Sequence, residues 1–210
     1  MESLSIIFVP LSLVATAAMA ASAAIQARRF KLDLFGAVVL GIVTAVGGGS
    51  LRDLFLGLTP VFWITDIRFL LTAIPASILS YLLAMRVPSG NGARLALLMY
   101  LDAIGLALFT LTGVQVALNE GVSPALAVVI GCVTGTAGGM IRDLFCNITP
   151  SVLKEDLYAT ISVIGGAAYL GLNKWWGEPM ATLVGFALIL LMRLTLLWRN
   201  PSKSPDQQET

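Results

Sequence analysis

The stretch GGGSLRDLFLGLTP at positions 47–60 returns ninety residues later as AGGMIRDLFCNITP at positions 137–150. Over the wider windows 41–60 and 131–150, eleven of the twenty positions are identical. Both copies lie toward the C-terminal end of a long apolar segment. Consecutive glycines weaken a helix, and an Arg-Asp pair brings charges that lipid penalises. In an apolar chain, this combination indicates a permeation or substrate pathway built from a duplicated unit.

The composition predicts an all-α, polytopic membrane protein. The chain has 210 residues, of which 57% are hydrophobic and 12% charged, and its mean hydropathy is +0.88. That leaves too little polar surface to coat a soluble globule of this size. The sequence contains no His, which excludes proton transfer by imidazole and His-containing metal sites. No nucleophile, base and orienting group can be assembled, so we expect no enzyme activity, no cofactor, no metal and no nucleic-acid partner.

Seven apolar segments are long enough to span a bilayer, which takes roughly 20 residues each. Together they predict a single transmembrane domain over 1–198. The first segment lacks a basic stretch before it and is interpreted as a retained helix rather than a signal peptide. The polar, Pro-containing tail 199–210 is predicted to be a disordered cytoplasmic end. The predicted spans are 5–26, 33–56, 66–85, 95–118, 123–146, 156–173 and 179–198.

The offset between the two copies predicts an inverted repeat. Ninety residues contain three spans, and an odd number of spans places the two copies in opposite orientations. Repeat 1 then covers about 5–85 and repeat 2 about 95–173, and the seventh helix, about 179–198, has no counterpart. Arg52-Asp53 and Arg142-Asp143 are therefore expected toward opposite faces of the membrane.

The loop charges predict the orientation. Short cytoplasmic loops carry an excess of Lys and Arg, and with the N-terminus outside the predicted inward loops carry eight basic residues against one, Lys174, in the outward loops. We therefore expect the C-terminus in the cytoplasm of a bacterial cell, with the protein in its inner membrane. The eight are Arg28, Arg29, Lys31, Arg86, Arg94, Lys154, Arg199 and Lys203.

The small residues of the repeated stretch have two interpretations. In the first, they form a kink whose exposed backbone helps line an ion pathway, because irregular backbone at membrane depth is tolerated where it borders water. In the second, they permit close packing between helices. The first interpretation predicts seven pathway residues: Gly47, Gly48, Gly49, Ser50, Ala137, Gly138 and Gly139.

The repeated Arg-Asp pairs also have two interpretations, as charges that line or gate a pathway or as a structural ion-pair network. An Arg within a span costs about 2.5–3.5 kcal/mol on insertion scales. Consecutive helical residues point about 100° apart, so we expect each charge to find a partner elsewhere. The predicted charges are Arg52, Asp53, Arg142, Asp143 and Asp102. The candidate partners are Asp66, Asp156 and Asp102.

The twin Gly-Gly-x-x-Arg-Asp motifs, the predicted 3+3+1 spans and the length resemble the bacterial branch of the trimeric intracellular cation (TRIC) channels, a group also labelled glycine transporter-like. The resemblance implies a homotrimer in which each protomer has its own potassium-permeable pore beside kinked second and fifth helices. Three departures from the pattern are visible. Ala137 replaces a glycine, Asp102 has Ser12 as its equivalent in repeat 1, and Lys154-Glu155 is followed by Asp156 where animal members have a Lys-Glu-Val motif.

Three functional classes stay open from the residues. A channel for monovalent cations such as K⁺ and Na⁺ needs a continuous wet path, whereas a secondary transporter of a small solute such as glycine needs an occluded site near the midplane. Inverted repeats occur in both classes. The third class is a purely structural helix bundle, which the Arg residues within spans disfavour. In every case, the expected surroundings are membrane lipid.

Overall fold

The computed structural model describes residues 7–87, 92–154 and 157–199, and this part of the chain contains helices and no strand. The predicted all-α class is confirmed. Arg199, the first residue of the predicted tail 199–210, is the last residue of a helix, and the rest of that tail lies outside the described residues. In chain order the helices are α1 (Phe8–Arg29), α2 (Leu34–Leu56), α3 (Phe62–Thr65), α4 (Arg68–Ala84), α5 (Ala93–Asn119), α6 (Pro124–Phe145), α7 (Ser151–Lys154), α8 (Tyr158–Trp176) and α9 (Glu178–Arg199).

Local sequence signals explain where several helices begin and end. The Asp33 carboxylate caps α2 by accepting a hydrogen bond from the Gly36 backbone N–H at 2.7 Å. Gly57 ends α2 in the left-handed region at φ 70°, a conformation that glycine adopts without steric cost. Pro124 opens α6, where its missing N–H would have had no helical partner.

Seven helices coincide with the predicted segments, and α3 and α7 are short additions after α2 and α6. Within the described part of the chain, five helices are long and apolar enough to cross a membrane: α1, α2, α5, α6 and α9. Helix α4 is apolar but has 17 residues. The structure thus supports a polytopic helical membrane protein, and the count of seven spans stays a prediction.

Packing follows the same order in the two halves of the chain. In the first half, α1, α2 and α4 contact one another; in the second half, α5, α6 and α8 do the same. The halves meet where α1 packs on α5 and α2 packs on α6, and α9 adds to α5 and α8. Alanines fill much of the buried face of α1, so its backbone lies close to its neighbours.

The closest approach between α2 and α6 is made by glycines of the repeated stretch. A Cβ built on Gly48 would lie 2.2 Å from the carbonyl oxygen of Thr134, and one built on Gly138 would lie 2.5 Å from the carbonyl oxygen of Thr44. These four residues are two repeat-equivalent pairs. The contact is therefore reciprocal, and it runs antiparallel because residue 44 faces 138 while residue 48 faces 134.

Both helices continue without interruption through the glycines at 47–49 and 138–139. The kink that we expected at the glycines stays a prediction. Glycine costs helix stability, but the bond pattern survives because the neighbouring backbone fills the space that a side chain would occupy. The packing interpretation of Gly48 and Gly138 has direct structural support.

We predict opposite effects for two adjacent glycine substitutions. Gly48→Ala places a methyl group against the immobile backbone of α6, so it is expected to destabilise the protein by about 1–3 kcal/mol despite the better helix propensity of Ala. Gly47→Ala meets the flexible end of Ile141, whose Cδ1 atom would lie 2.5 Å from the new Cβ, so it should be neutral or stabilising. Unfolding by SDS titration, followed by circular dichroism, measures both. Equal unfolding midpoints would contradict this account of the crossing.

Candidate functional site

Arg142, near the C-terminal end of α6, is almost completely buried and fully engaged. Its Nη1 atom lies 2.7 Å from Asp102 Oδ1 on α5, and its Nη2 atom lies 2.9 Å from Asp143 Oδ1. Nε donates to the same Asp143 oxygen at 3.0 Å, and Nη1 donates to the Ser22 hydroxyl of α1 at 3.1 Å. A guanidinium removed from water needs such partners, and here three helices supply them.

Asp102 connects this arginine to the last two long helices. Its second oxygen, Oδ2, accepts a short hydrogen bond from the Tyr158 hydroxyl of α8. The guanidinium carbon of Arg193, on α9, lies 4.2 Å from the centroid of the Tyr158 ring, a cation–π geometry. Asp102, Tyr158 and Arg193 are all buried. The charge cluster Arg142–Asp102–Tyr158–Arg193 therefore joins α5, α6, α8 and α9.

Arg52, the repeat equivalent of Arg142, has a simpler environment. Its Nη2 and Nε atoms lie 2.7 and 2.8 Å from Asp53 Oδ1, which is its only carboxylate partner among the described residues. The other face of the guanidinium lies 5.2 Å from the ring centroid of Phe62 on α3. An aromatic ring thus occupies the place that a second carboxylate has at Arg142.

Asp53 and Asp143 have the same double role. One oxygen binds the adjacent arginine, and the other accepts a backbone N–H from the first residue of the next short helix: Phe62 of α3 at 2.8 Å and Ser151 of α7 at 2.9 Å. A carboxylate at a helix N-terminus satisfies a donor that has no helical partner. Each aspartate therefore fixes the turn that follows its long helix.

The two arginines lie at opposite ends of the α2–α6 crossing. In the antiparallel register, paired residue numbers add to 182, so Arg52 is level with residue 130 of α6. Arg142 is twelve residues further on, which corresponds to about 18 Å at ~1.5 Å rise per residue. The two charged pairs are thus separated along the crossing, and their expected placement toward opposite faces of the membrane stays a prediction.

A cavity lies beside the Arg142 end. Its volume is about 20 Å³, which is room for about one water molecule. The cavity receives side chains of both charges, and its polar lining consists of Gln26, Arg29, Asp102, Arg142, Asp143, Ser151 and Arg193. Within the described residues, no group of three His, Cys, Asp or Glu side chains has the arrangement of a metal site. The charges of this lining are partly paired with one another, because Arg142 contacts both Asp102 and Asp143.

Several partner predictions need correction. Each arginine does pair with its sequence neighbour, because the long side chain folds back over the helix and reaches a carboxylate one residue on. Asp66 pairs with Arg68 at 2.7 Å rather than with a repeated arginine, and this contact lowers the pKa of the Asp66 carboxyl. Asp102 is confirmed as a partner of Arg142. The remaining candidate, Asp156, lies outside the described residues.

The sequence interpretation missed four members of the site: Ser22, Phe62, Tyr158 and Arg193. Arg193 carried the one available signal, a basic residue inside a predicted span. The sequence repeat gives no signal for Phe62 or Tyr158, because Arg52 and Arg142 have different neighbours from outside the repeated stretch.

Comparison with known proteins identifies the family. The model of the family described as glycine transporter matches residues 10–85 and 99–174, one match for each predicted repeat. The chain belongs to this glycine transporter family. The UPF0126 inner membrane protein YadS of Escherichia coli K12 is 38% identical over 192 residues, which cover 89% of this chain and 90% of the relative.

Solved structures similar to this chain include bacterial TRIC channels, so the predicted resemblance is confirmed. The TRIC orthologue from Rhodobacter sphaeroides has 35% identity and a TM-score of 0.85, with 92% of this chain and 98% of the other covered. A prokaryotic TRIC channel in 0.5 M KCl has 27% identity and a TM-score of 0.88, with 93% and 98% covered. The fold of this glycine transporter family member is therefore that of TRIC channels.

We predict that Asp102→Ala destabilises the protein by about 3–5 kcal/mol, because it leaves a buried guanidinium and a buried tyrosine hydroxyl without their shared partner. Asp66→Ala is the matched control, since it removes an equally short ion pair at an exposed site, and we expect no resolvable change. SDS titration followed by circular dichroism compares the two. Similar unfolding midpoints for both variants would mean that the buried cluster contributes no stability.

Proposed function

We propose that the chain is a monovalent-cation channel, permeable to K⁺ and Na⁺, with a pathway inside each protomer beside the α2–α6 crossing. The carrying observation is the pair of buried Arg-Asp sites at the two ends of that crossing, in a chain with the fold of TRIC cation channels. Buried charges are costly in a membrane and are a common mark of ion pathways. Under this proposal the residues 47–50 and 137–139 border the pathway, and Arg52, Asp53, Asp102, Arg142 and Asp143 shape its ends.

Because α2 and α6 are continuous helices at the repeated glycines, the neighbours of each glycine indicate its role. Gly48 and Gly138 face backbone of the opposite helix, so their contribution is to let the two helices cross closely. Gly49 and Gly139 face the groups at the two charged ends. We propose that the pathway runs beside the glycine contact and passes both charged ends.

The proposed arrangement in the membrane is an inverted 3+3 repeat plus a seventh helix, with the N-terminus outside and the C-terminus in the cytoplasm. The matched packing of the two halves and the reciprocal glycine contact support the repeat. The loop charge bias supports the orientation, although Arg68, exposed at the start of α4, adds a second basic residue to the outer side. The name of the E. coli relative supports an inner membrane location, and the trimeric relatives support a homotrimer.

Secondary transport of a small solute such as glycine is the second candidate function. The description of the family model favours it.

Reconstitution separates the two functions. In a planar bilayer under a KCl gradient, we expect discrete unitary currents that reverse near the potassium equilibrium potential, because a continuous pathway passes many ions per opening. Protein-free bilayers treated with the same detergent serve as the control. Saturable uptake of labelled glycine into proteoliposomes, without unitary currents in the bilayer, would replace the channel by the carrier.

A reporter at the C-terminus tests the orientation. Green fluorescent protein fused after Thr210 is expected to fluoresce, because it folds in the bacterial cytoplasm, while alkaline phosphatase at the same position should stay inactive. The inverse pattern in membrane-inserted fusions would reverse the assignment.

A further inference from the structure

The repeat-equivalent glycines Gly49 and Gly139 are covered by chemically different groups. A Cβ built on Gly49 would lie 2.4 Å from the Cε1 atom of Phe62, so the aromatic ring lies directly against α2. A Cβ built on Gly139 would lie 3.2 Å from Asp102 Oδ1 and 3.4 Å from the Tyr158 hydroxyl. One end of the crossing is thus covered by a hydrocarbon ring and the other by a charged, hydrogen-bonded pair.

Phe62 is held in place by four contacts at or next to it, three with α2 and one with α4. Its backbone N–H donates to Asp53, and its ring faces the Arg52 guanidinium. The adjacent Trp63 indole Nε1 donates to the Ser50 hydroxyl at 2.9 Å. The Phe62 ring also meets the Phe69 ring of α4 edge-on, with centroids 4.6 Å apart. All four contacts involve side chains. Two of them are made with Asp53 and Arg52, which the sequence predicted as pathway charges.

The two coverings differ in how firmly the fold retains them. Helix α3 has four residues, none of them buried, and connects to the bundle through α2 and α4. Asp102 and Tyr158 are buried and belong to the long helices α5 and α8. A segment with few buried apolar contacts opens locally at lower cost than one inside the core. The Arg52 end is therefore the end that opens more readily.

We propose that Phe62 and the helix α3 that carries it form a releasable aromatic cap over the Arg52 end of the pathway, held closed by the Trp63–Ser50 hydrogen bond. The inference rests on the proposed channel function and identifies this cap as the gate of the channel. A ring in a narrow passage excludes water, and an apolar constriction without water does not conduct ions. Displacement of α3 uncovers Gly49 and the Arg52–Asp53 pair, while the Arg142 end keeps its charged contacts.

Removing the indole donor tests the cap. Trp63→Phe keeps an aromatic side chain but loses the hydrogen bond to Ser50, so we expect the ratio of open to closed time to rise about two- to tenfold, with the unitary conductance unchanged. Trp175→Phe is the matched control, because Trp175 is 79% exposed on α8 and should leave gating unchanged. Ser50→Ala should likewise raise the ratio of open to closed time, and the double variant Trp63→Phe/Ser50→Ala should add nothing further to that ratio.

A second substitution acts on the ring itself. Gly49→Ala places a methyl group where the Phe62 ring lies, so it is expected to displace the cap and increase open time, whereas Gly171→Ala, with no atom within 4 Å of its added Cβ, is the control. Hydrogen exchange of the segment 61–66 reports the cap independently of current. We expect faster exchange at the Phe62 amide in Trp63→Phe and Gly49→Ala than in the wild type or the controls.

The outcomes separate the cap from the channel. Faster exchange at 61–66 together with increased open time supports the proposal. Faster exchange with unchanged open time, or unchanged exchange in both variants, overturns it while the channel function stands. A wild-type protein that passes no current in the bilayer overturns the channel function itself, and the gating role of the cap with it.

Discussion

The approach of α2 and α6 is the contact on which the site depends. At Gly48 and Gly138 there is no space for even a methyl group between one helix and the backbone of the other. Dispersion contacts between closely packed backbones are a main source of helix association in lipid, where hydrophobic burial contributes little. This contact also sets the antiparallel register, and the register places Arg52 and Arg142 at opposite ends. Any change that separates the helices at the glycines therefore moves both charged ends together.

The charged ends show how a membrane protein retains arginine within its spans. Each guanidinium folds back on the carboxylate that follows it in sequence, and each carboxylate also holds the next short helix. This arrangement needs four consecutive features: a glycine stretch, an arginine, an aspartate and a turn that returns its backbone N–H. The repeated sequence contains all of them twice. Duplication has thus preserved a complete local unit rather than isolated residues.

The two ends nevertheless differ, and the difference comes from outside the repeated stretch. Asp102, Tyr158, Ser22 and Arg193 gather around Arg142, whereas Phe62 covers Arg52. A charge network inside a low-dielectric core is strongly coupled and resists rearrangement, because separating one member leaves another buried without compensation. A ring over a guanidinium involves less desolvated charge. In the proposed channel, the Arg142 end of the α2–α6 crossing therefore stays fixed and the Arg52 end opens.

The amino-acid sequence alone predicted the membrane class, the helix positions and the candidate residues around Arg52 and Arg142, because composition, span length and an internal duplication are properties of the chain that packing does not alter. It also indicated Asp102 as a partner for a repeated arginine. The tertiary structure decided that the helices are continuous at the glycines, that each arginine binds its own neighbour, and that Phe62, Tyr158 and Arg193 belong to the site. Those outcomes depend on which backbone fills the space beside Gly48, how a flexible arginine side chain folds, and which distant helices meet, and no local pattern specifies such contacts.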